Sequence, residues 1–436
     1  MREAGRIAAA MEVLSAIHTH HQPAKDALRD WGKTHRFAGS GDRAWISGLV
    51  LDALRYRASS AYRFGADTPR AWVLGALSRD WGYDSAKLAG AFEGDEHAPE
   101  ALSEAEITAM DTPMGEDAPL YARADIPEWL APVFEAAYGA DAAREGQGMT
   151  TRAPVDLRVN QAKVEPEKAL HAVRQKLNAD PGELIKGAIR IVPKDATAKA
   201  APADAIPAYG RGWVEVQDMG SQIVTLAAGA CQGQQVLDYC AGAGGKTLAL
   251  ASLMGEGGQI YAWDYDWRRL RAIWPRLKRA DVRNVQVRDG KEDEVLNELV
   301  GKMDLVYVDA PCSGSGTWRR RPDTKWKLTE RAIERRMEEQ GEVLEKASRY
   351  VKPGGRMVYV TCSVLPQENE EPIARFLEAH PEFKPRPAIA AIRETGELTE
   401  QGDLDIAACE GRFGALQLTP ARTGTDGFYV CVLGRG

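Results

Sequence analysis

Apolar residues recur at helical spacing near the start of the chain, at Ile7, Met11, Leu14 and Ile17 and again at Ile46, Leu49, Val50, Ala53 and Leu54. A stripe with that period buries one face of a helix, so residues 1 to about 90 are predicted to be all α. Between Glu93 and Gly148 the pattern weakens. Acids dominate, Pro and Gly are scattered, and only Ile126-Pro127-Glu128-Trp129-Leu130 with Phe134 suggests a short packed helix. That stretch reads as the outer edge of a helical domain, 1–140, plus an acidic linker. A strand at Val155-Asp156-Leu157-Arg158-Val159, a helix from about Glu167 to Leu177 and a returning strand at Ala188-Ile189-Arg190-Ile191-Val192 make a small α/β domain, 150–205. An Ala/Pro/Lys-rich linker from Lys194 to Pro207 closes it.

From Gly212 onward strands and helices alternate with the spacing of a doubly wound parallel sheet, which assigns 206–436 to an α/β domain. Leu305-Val306-Tyr307-Val308 and Met357-Val358-Tyr359-Val360 are short apolar runs of the kind that form buried strands. Strands of such a sheet present their carboxyl ends to a ligand crevice, so the residues just past each run are candidates for chemistry. Two of these are cysteines, in Asp309-Ala310-Pro311-Cys312-Ser313 and Thr361-Cys362-Ser363. No internal repeat interrupts the pattern.

Composition changes this picture little. A chain of 436 residues, 44% hydrophobic, can bury two or three sizeable cores. No apolar run approaches the roughly 20 residues that span a bilayer, and Met1-Arg2-Glu3-Ala4-Gly5-Arg6 lacks a signal-peptide core, so no membrane partner and a cytoplasmic location are expected. Six cysteines without a C-x-x-C pair argue for reduced thiols, and His18, His20 and His21 have no Cys or carboxylate at ligand spacing, so no metal is expected. A monomer is expected. The net charge of −7 argues against nucleic acid when taken alone. Its distribution argues the other way: Arg319, Arg320, Arg321, Lys325, Lys327, Arg331, Arg335 and Arg336 crowd the segment after Cys312, with Trp318 and Trp326 between them. Arginine mixed with aromatics is the usual means of gripping phosphates and stacking bases.

Val236-Leu237-Asp238-Tyr239-Cys240-Ala241-Gly242-Ala243-Gly244-Gly245-Lys246-Thr247 reads as a strand, a glycine-rich turn and a helix start. Three ligands compete for that turn. A phosphate loop fits Gly245-Lys246-Thr247 but has Cys240 where the first glycine belongs, and Asp238 would repel phosphates. A dinucleotide meets the same acid and an imperfect glycine pattern. S-adenosylmethionine carries a sulfonium and an amino group and no phosphate, so acids become its partners. Asp264 after the next strand suits the ribose hydroxyls, and Asp289 after the third lies in reach of the adenine amino group.

Two thiols beside such a loop suggest covalent chemistry on an electron-poor ring. Carbon 5 of cytosine is a poor nucleophile until a thiolate adds to carbon 6. Lys246 and the arginine cluster can favour a thiolate, and Asp309 can hold the N3 and N4 edge of the base.

Taken together, Gln217-Asp218, the 238–247 loop, the two cysteine motifs, Arg320-Arg321-Pro322-Asp323-Thr324-Lys325-Trp326, Val364-Leu365-Pro366-Gln367-Glu368-Asn369-Glu370 and Asp426-Gly427-Phe428-Tyr429 resemble the RNA cytosine-5 methyltransferases of the RsmB/Sun/Nop type over about 150–436. Residues 1 to about 90, with Gly41-Asp42-Arg43-Ala44 and Leu54-Arg55-Tyr56-Arg57, resemble the NusB-like RNA-binding domain of the RsmB branch. The resemblance implies a Rossmann-like class I S-adenosylmethionine-dependent methyltransferase domain acting on RNA, with small-subunit ribosomal RNA as the expected partner. It implies Cys362 as the nucleophile and Cys312 as the thiol that helps release product. It gives the cofactor Cys240, Ala241, Gly242, Ala243, Gly244, Gly245, Lys246, Asp264, Asp289 and Asp309. DNA cytosine-5 methyltransferases use a Pro-Cys thiol as nucleophile, so the reverse assignment of the cysteines stays open. This chain departs from the family at Ala243, where a proline is usual, and at Asp218-Met219-Gly220-Ser221. Two alternatives stand beside this reading. One is the same chemistry on transfer RNA; the other is a non-catalytic ribosome-assembly factor, which the acidic charge supports and the paired cysteine motifs oppose.

Overall fold

The computed structural model describes residues 1–192, 202–255 and 257–436. They fall into two compact units: Met1–Arg152 with Trp318–Leu328, and a second that holds Ala153–Val192, 202–317 and Thr329–Gly436. The helical unit begins with helices Glu3–His20, Ala24–Thr34, Ser40–Arg55, Arg57–Phe64, Pro69–Asp80 and Ser85–Phe92. The apolar stripe of the sequence is its core, with Ile7, Leu14, Ile46, Leu49, Val50, Trp72 and Leu74 wholly inaccessible to solvent.

The acidic stretch is not a linker. It folds into helices Glu104–Asp111, Leu120–Ala124, Ala131–Tyr138 and Ala142–Gly148 within the same unit. Several of its apolar residues, among them Ala122, Leu130 and Phe134, are fully buried, and its acids have local work. Glu106 closes a capping box with Ser103 and takes the Arg70 guanidinium at 2.6 Å. Asp125, buried, accepts both the backbone N–H and the hydroxyl of Ser59 at 2.8 and 2.9 Å. Acid content alone therefore does not mark a linker.

The basic cluster after Cys312 is not a single exposed face. Trp318, Arg319 and Lys325 are interior residues of the helical unit, exposed by 1, 3 and 1%. The Lys325 ammonium donates to the carbonyls of Arg55 and Asp125 at 3.1 and 2.5 Å, and burial pushes its pKa down to about 7. The Trp326 indole donates to the Leu54 carbonyl at 2.6 Å. Arg320, Arg321, Lys327, Arg331 and Arg335 are the members left at the surface.

In the second unit, β1 (Val155–Val159), β2 (Ala179–Pro181), β3 (Ala188–Ile191) and β4 (Val214–Val216) form an antiparallel sheet in the order β2-β3-β1-β4. Helix Pro166–Arg174 packs Ala169 and Val173 against Leu157, Val159 and Ile189. The small sheet thus takes its last strand from beyond residue 205. The linker read at Lys194 to Pro207 falls largely on residues outside those described, and Pro207–Gly210 forms a short helix.

The larger sheet contains β5 (Gln235–Asp238), β6 (Gln259–Ala262), β7 (Val285–Val287), β8 (Met303–Asp309), β9 (Val351–Thr361), β10 (Phe383–Arg386), β11 (Leu416–Leu418) and β12 (Phe428–Arg435). Its order is β10-β12-β9-β8-β5-β6-β7, with β11 also on β12. Strands β5 to β9 are parallel, whereas β10, β11 and β12 run antiparallel to their neighbours. The expectation of a parallel sheet fails there because an apolar run encodes burial and not direction. From β5 the chain winds outward through β6 and β7 and returns on the other side at β8, which opens the crevice of a doubly wound sheet at the carboxyl ends of β5 and β8.

Candidate active site

Strand register brings the predicted residues to one edge of the sheet. Asp238 is opposite Tyr307 and Ala262, and Asp309 is opposite Val360, so the segments that follow β5, β6, β8 and β9 leave the sheet side by side. The turn after β5 is held by its neighbours: Ala241 N–H donates to the Trp263 carbonyl at 2.9 Å and Gly242 N–H donates to Asp264 at 2.7 Å. Gly244, the N-cap of helix Gly245–Met254, has φ +82°, and a Cβ there would meet Ile273 at 2.3 Å, so no other residue fits. Ala243, where a proline is usual in the family, is exposed; Arg276 donates to its carbonyl at 2.8 Å and ties the turn down from outside.

The acids differ in setting. Asp238 is wholly buried, accepts the Thr247 hydroxyl at 2.6 Å, and leaves its other oxygen without a partner. Burial, with the nearby charges of Asp309 and Asp264, pushes its carboxyl up to about 7. Burial also raises Asp264, although it accepts two backbone N–H groups, from Gly242 and Asp266. Asp289 is exposed after β7 and forms no hydrogen bond with the other site residues among those described. Cys240 lies within the loop, and burial pushes its thiol well above the ordinary range.

Cys312 and Cys362 meet. Their sulfurs are 3.3 Å apart, both thiols are free, and each is part-buried. The surroundings polarise the pair. A hydrogen bond from Cys312 and the Lys246 ammonium hold Cys362 below the ordinary thiol range, whereas donating that hydrogen bond, with burial, pushes Cys312 well above it. Burial opposes charge on Lys246, yet the Asp309 carboxylate 2.7 Å away keeps its ammonium above its usual range. The same ammonium lies 5.3 Å from the centre of the Phe428 ring.

The two cysteine loops are stitched to each other. Gly316 N–H donates to the Cys362 carbonyl at 3.0 Å, and the hydroxyls of Ser315 and Ser363 pair at 2.9 Å. Gly427 N–H donates to the Gly316 carbonyl, and a Cβ on Gly316 would fall 2.1 Å from the Gly427 oxygen, so this close approach requires glycine. Glu368 and Asn369 complete the network. Asn369 accepts the Thr361 hydroxyl at 2.5 Å and donates to the Ser363 carbonyl at 3.0 Å. Sequence patterns assign no role to Glu368, Asn369 or Arg276. The available signal is a Glu-Asn pair past a strand-end cysteine motif, acceptor side chains where a loop must fold back on itself.

The sequence profile of the family described as 16S rRNA methyltransferase RsmB/F matches residues 225–434. A Photorhabdus laumondii protein named ribosomal RNA small subunit methyltransferase B is 32% identical over 309 residues, 70% of this chain and 66% of that protein. The chain spans 62 to 66% of the length of this and the other curated relatives of that name from Enterobacter and Yersinia pseudotuberculosis. Among solved structures, that of PH0851 covers 99% of both chains with a TM-score of 0.72 at 24% identity, a likeness of fold. A methyltransferase homologue from Pyrococcus horikoshii covers 73% of this chain and 98% of its own, at 26% identity and a TM-score of 0.58.

Proposed function

Through residues 225–434 this chain belongs to the RsmB/F methyltransferase family, and from that premise we propose that it methylates carbon 5 of a cytosine in small-subunit ribosomal RNA, with S-adenosylmethionine as the cofactor. The observation that carries the chemistry is the convergence of Cys312 and Cys362 at 3.3 Å beside the glycine turn.

The residues around the turn fit the cofactor. An orphan buried acceptor on Asp238, the acids Asp264 and Asp289, and a backbone stripped of side chains at Gly242, Gly244 and Gly245 suit a ligand with cationic and hydroxyl groups and no phosphate. Loop residues Cys240 to Lys246 with Asp264, Asp289 and Asp309 would hold it. Bound there, it supplies an electrophilic methyl group.

The protein's own part is to make carbon 5 reactive. Cys362, the more acidic thiol, adds as thiolate to carbon 6, which turns carbon 5 into an enamine-like nucleophile. Lys246 stabilises the thiolate and holds Asp309 toward the edge of the base. After methyl transfer the carbon 5 proton passes to water, its bonding electrons restore the ring double bond, and the sulfur–carbon 6 bond breaks to expel Cys362 as thiolate; Cys312, the thiol that keeps its proton, assists by donating a hydrogen bond to the departing sulfur.

For RNA contact the helical unit offers a surface other than the buried Trp318–Lys325 segment. A cavity of about 900 Å³ is lined by Lys25, Arg29, Lys33, Arg36, Arg43 and Trp31. Arg29 and Lys33 pair with Asp26 and Asp30, while Lys25 and Arg36 pair with no acid among the described residues. Cations of this kind suit a phosphate backbone.

Bisulfite sequencing of RNA from a strain lacking the gene tests the reading directly: one cytosine of small-subunit ribosomal RNA should lose its mark. Loss from transfer RNA alone would move the substrate, and no loss from any RNA would end the proposal.

A further inference from the structure

Glu368 is a carboxylate with no solvent exposure, and no ion pair reaches it among the described residues. A buried charge of that kind is costly unless donors surround it. Four do. The Ser313 N–H at 2.6 Å and the Gln340 amide at 3.3 Å donate to one oxygen; the hydroxyls of Ser313 and Ser363, each at 2.5 Å, donate to the other. The direction of the last two is fixed by the carboxylate, which can only accept; Ser313 Oγ accepts the Ser315 N–H at 3.2 Å, Ser363 Oγ accepts the Leu365 N–H at 3.1 Å, and in the Ser315–Ser363 pair it is then Ser315 that donates. A hydroxyl has one proton, so each directs it at Glu368.

Ser313 follows Cys312 and Ser363 follows Cys362. A single carboxylate oxygen is therefore shared by the residues next to the two sulfurs, on loops that leave two different strands. Hydrogen bonds serving only to close the Pro366–Glu368 turn would have no reason to select those two serines. We propose that Glu368 is a positioning residue that sets the separation of Cys312 and Cys362 by bridging Ser313 and Ser363. The inference rests on the reading of the two thiols as the reacting pair.

The test uses the full chain carrying Glu368→Gln, whose amide nitrogen cannot accept and so fails at least one of the four donors. Without RNA, dilute hydrogen peroxide converts a close dithiol to a disulfide, two thiols and one peroxide giving one disulfide and two waters, and peptide mapping reads the Cys312–Cys362 link. Because that bond demands a narrow range of geometry, it should form about ten-fold more slowly in the variant. Ser313→Ala and Ser363→Ala should each slow it less, and should add nothing in the Glu368→Gln background. An unchanged rate would overturn the proposal. With RNA, kcat should fall about ten-fold or more while KM and S-adenosylhomocysteine affinity stay as in the wild type; a change confined to KM would also overturn it. Should Glu368→Gln not fold, the Ser313→Ala/Ser363→Ala double variant keeps the carboxylate, removes the bridge and is read the same way. If the unmodified protein methylates no RNA, the functional reading fails, and the peroxide experiment still decides the role of Glu368.

Discussion

Cys312 Sγ and Cys362 Sγ face each other at 3.3 Å, with Lys246 acting on Cys362. The asymmetry assigns different failures to the two thiols. Cys362→Ala should abolish turnover and leave no RNA–protein adduct, because carbon 5 is never activated. Cys312→Ala should allow addition and methyl transfer but stall release, so a covalent complex should accumulate on denaturing gels with RNA and S-adenosylmethionine. An adduct with Cys362→Ala and none with Cys312→Ala would exchange the roles.

The polarity of the pair also predicts a pH dependence that needs no RNA. Cys362 is held below the ordinary thiol value first by the hydrogen bond from Cys312 and then by Lys246. Removing the donor destabilises the thiolate, so in Cys312→Ala the midpoint of Cys362 alkylation by iodoacetamide should move to higher pH. Lys246→Gln should move it the same way. A midpoint that falls in either variant would contradict the electrostatic account.

Asp264 accepts the Gly242 and Asp266 amides and so supports the turn as well as facing the ligand crevice. Asp264→Ala should weaken S-adenosylhomocysteine binding by about 1 to 3 kcal/mol, the cost of leaving buried donors without a charged acceptor. Titration calorimetry measures it. The unmodified protein should bind S-adenosylhomocysteine at micromolar levels and ATP not at all; tighter ATP binding would point back to a phosphate loop.

Asp238 should make stability fall with pH. Its carboxyl is pushed up from 3.8 to about 7 by burial, so the folded protein keeps a proton that the unfolded chain has already lost. The stability from that neutral carboxyl is complete below the unfolded value and is lost as pH rises through the folded one. Thermal unfolding of Asp238→Asn should therefore show a flatter pH profile than the wild type between about 4 and 7.

In the helical unit, Lys25→Glu and Arg36→Glu change exposed side chains that line the basic cavity. Both should weaken RNA binding and make it less dependent on salt, the slope falling by about one for each phosphate no longer neutralised, with cofactor affinity unchanged. Gel shifts over a range of salt would read this; equal slopes in variant and wild type would remove the cavity from the interface.

Much of this protein was determined by sequence alone. Helical periodicity at Ile7 to Ile17 and Ile46 to Leu54 reports burial on one face, and burial survives any arrangement of the helices. The apolar runs ending at Asp238, Asp309 and Thr361 marked strands because a central strand is apolar on both faces, and the residues just beyond them had to lie at the crevice. Tertiary structure decided what those signals do not carry. Strand direction at β10 to β12 follows from pairing within the sheet, not from any local pattern. Charge does not reveal its own exposure: Lys325 and Arg319 look like phosphate contacts in the sequence and are interior, and for Lys325 the carbonyls of Arg55 and Asp125 take the place of water. The same holds for Glu368, a carboxylate whose meaning arises only when residues 313, 340 and 363 are brought within hydrogen-bond reach across loops from separate elements. Local chemistry fixes which residues can react; only the packing of distant segments fixes which of them share a proton or a partner.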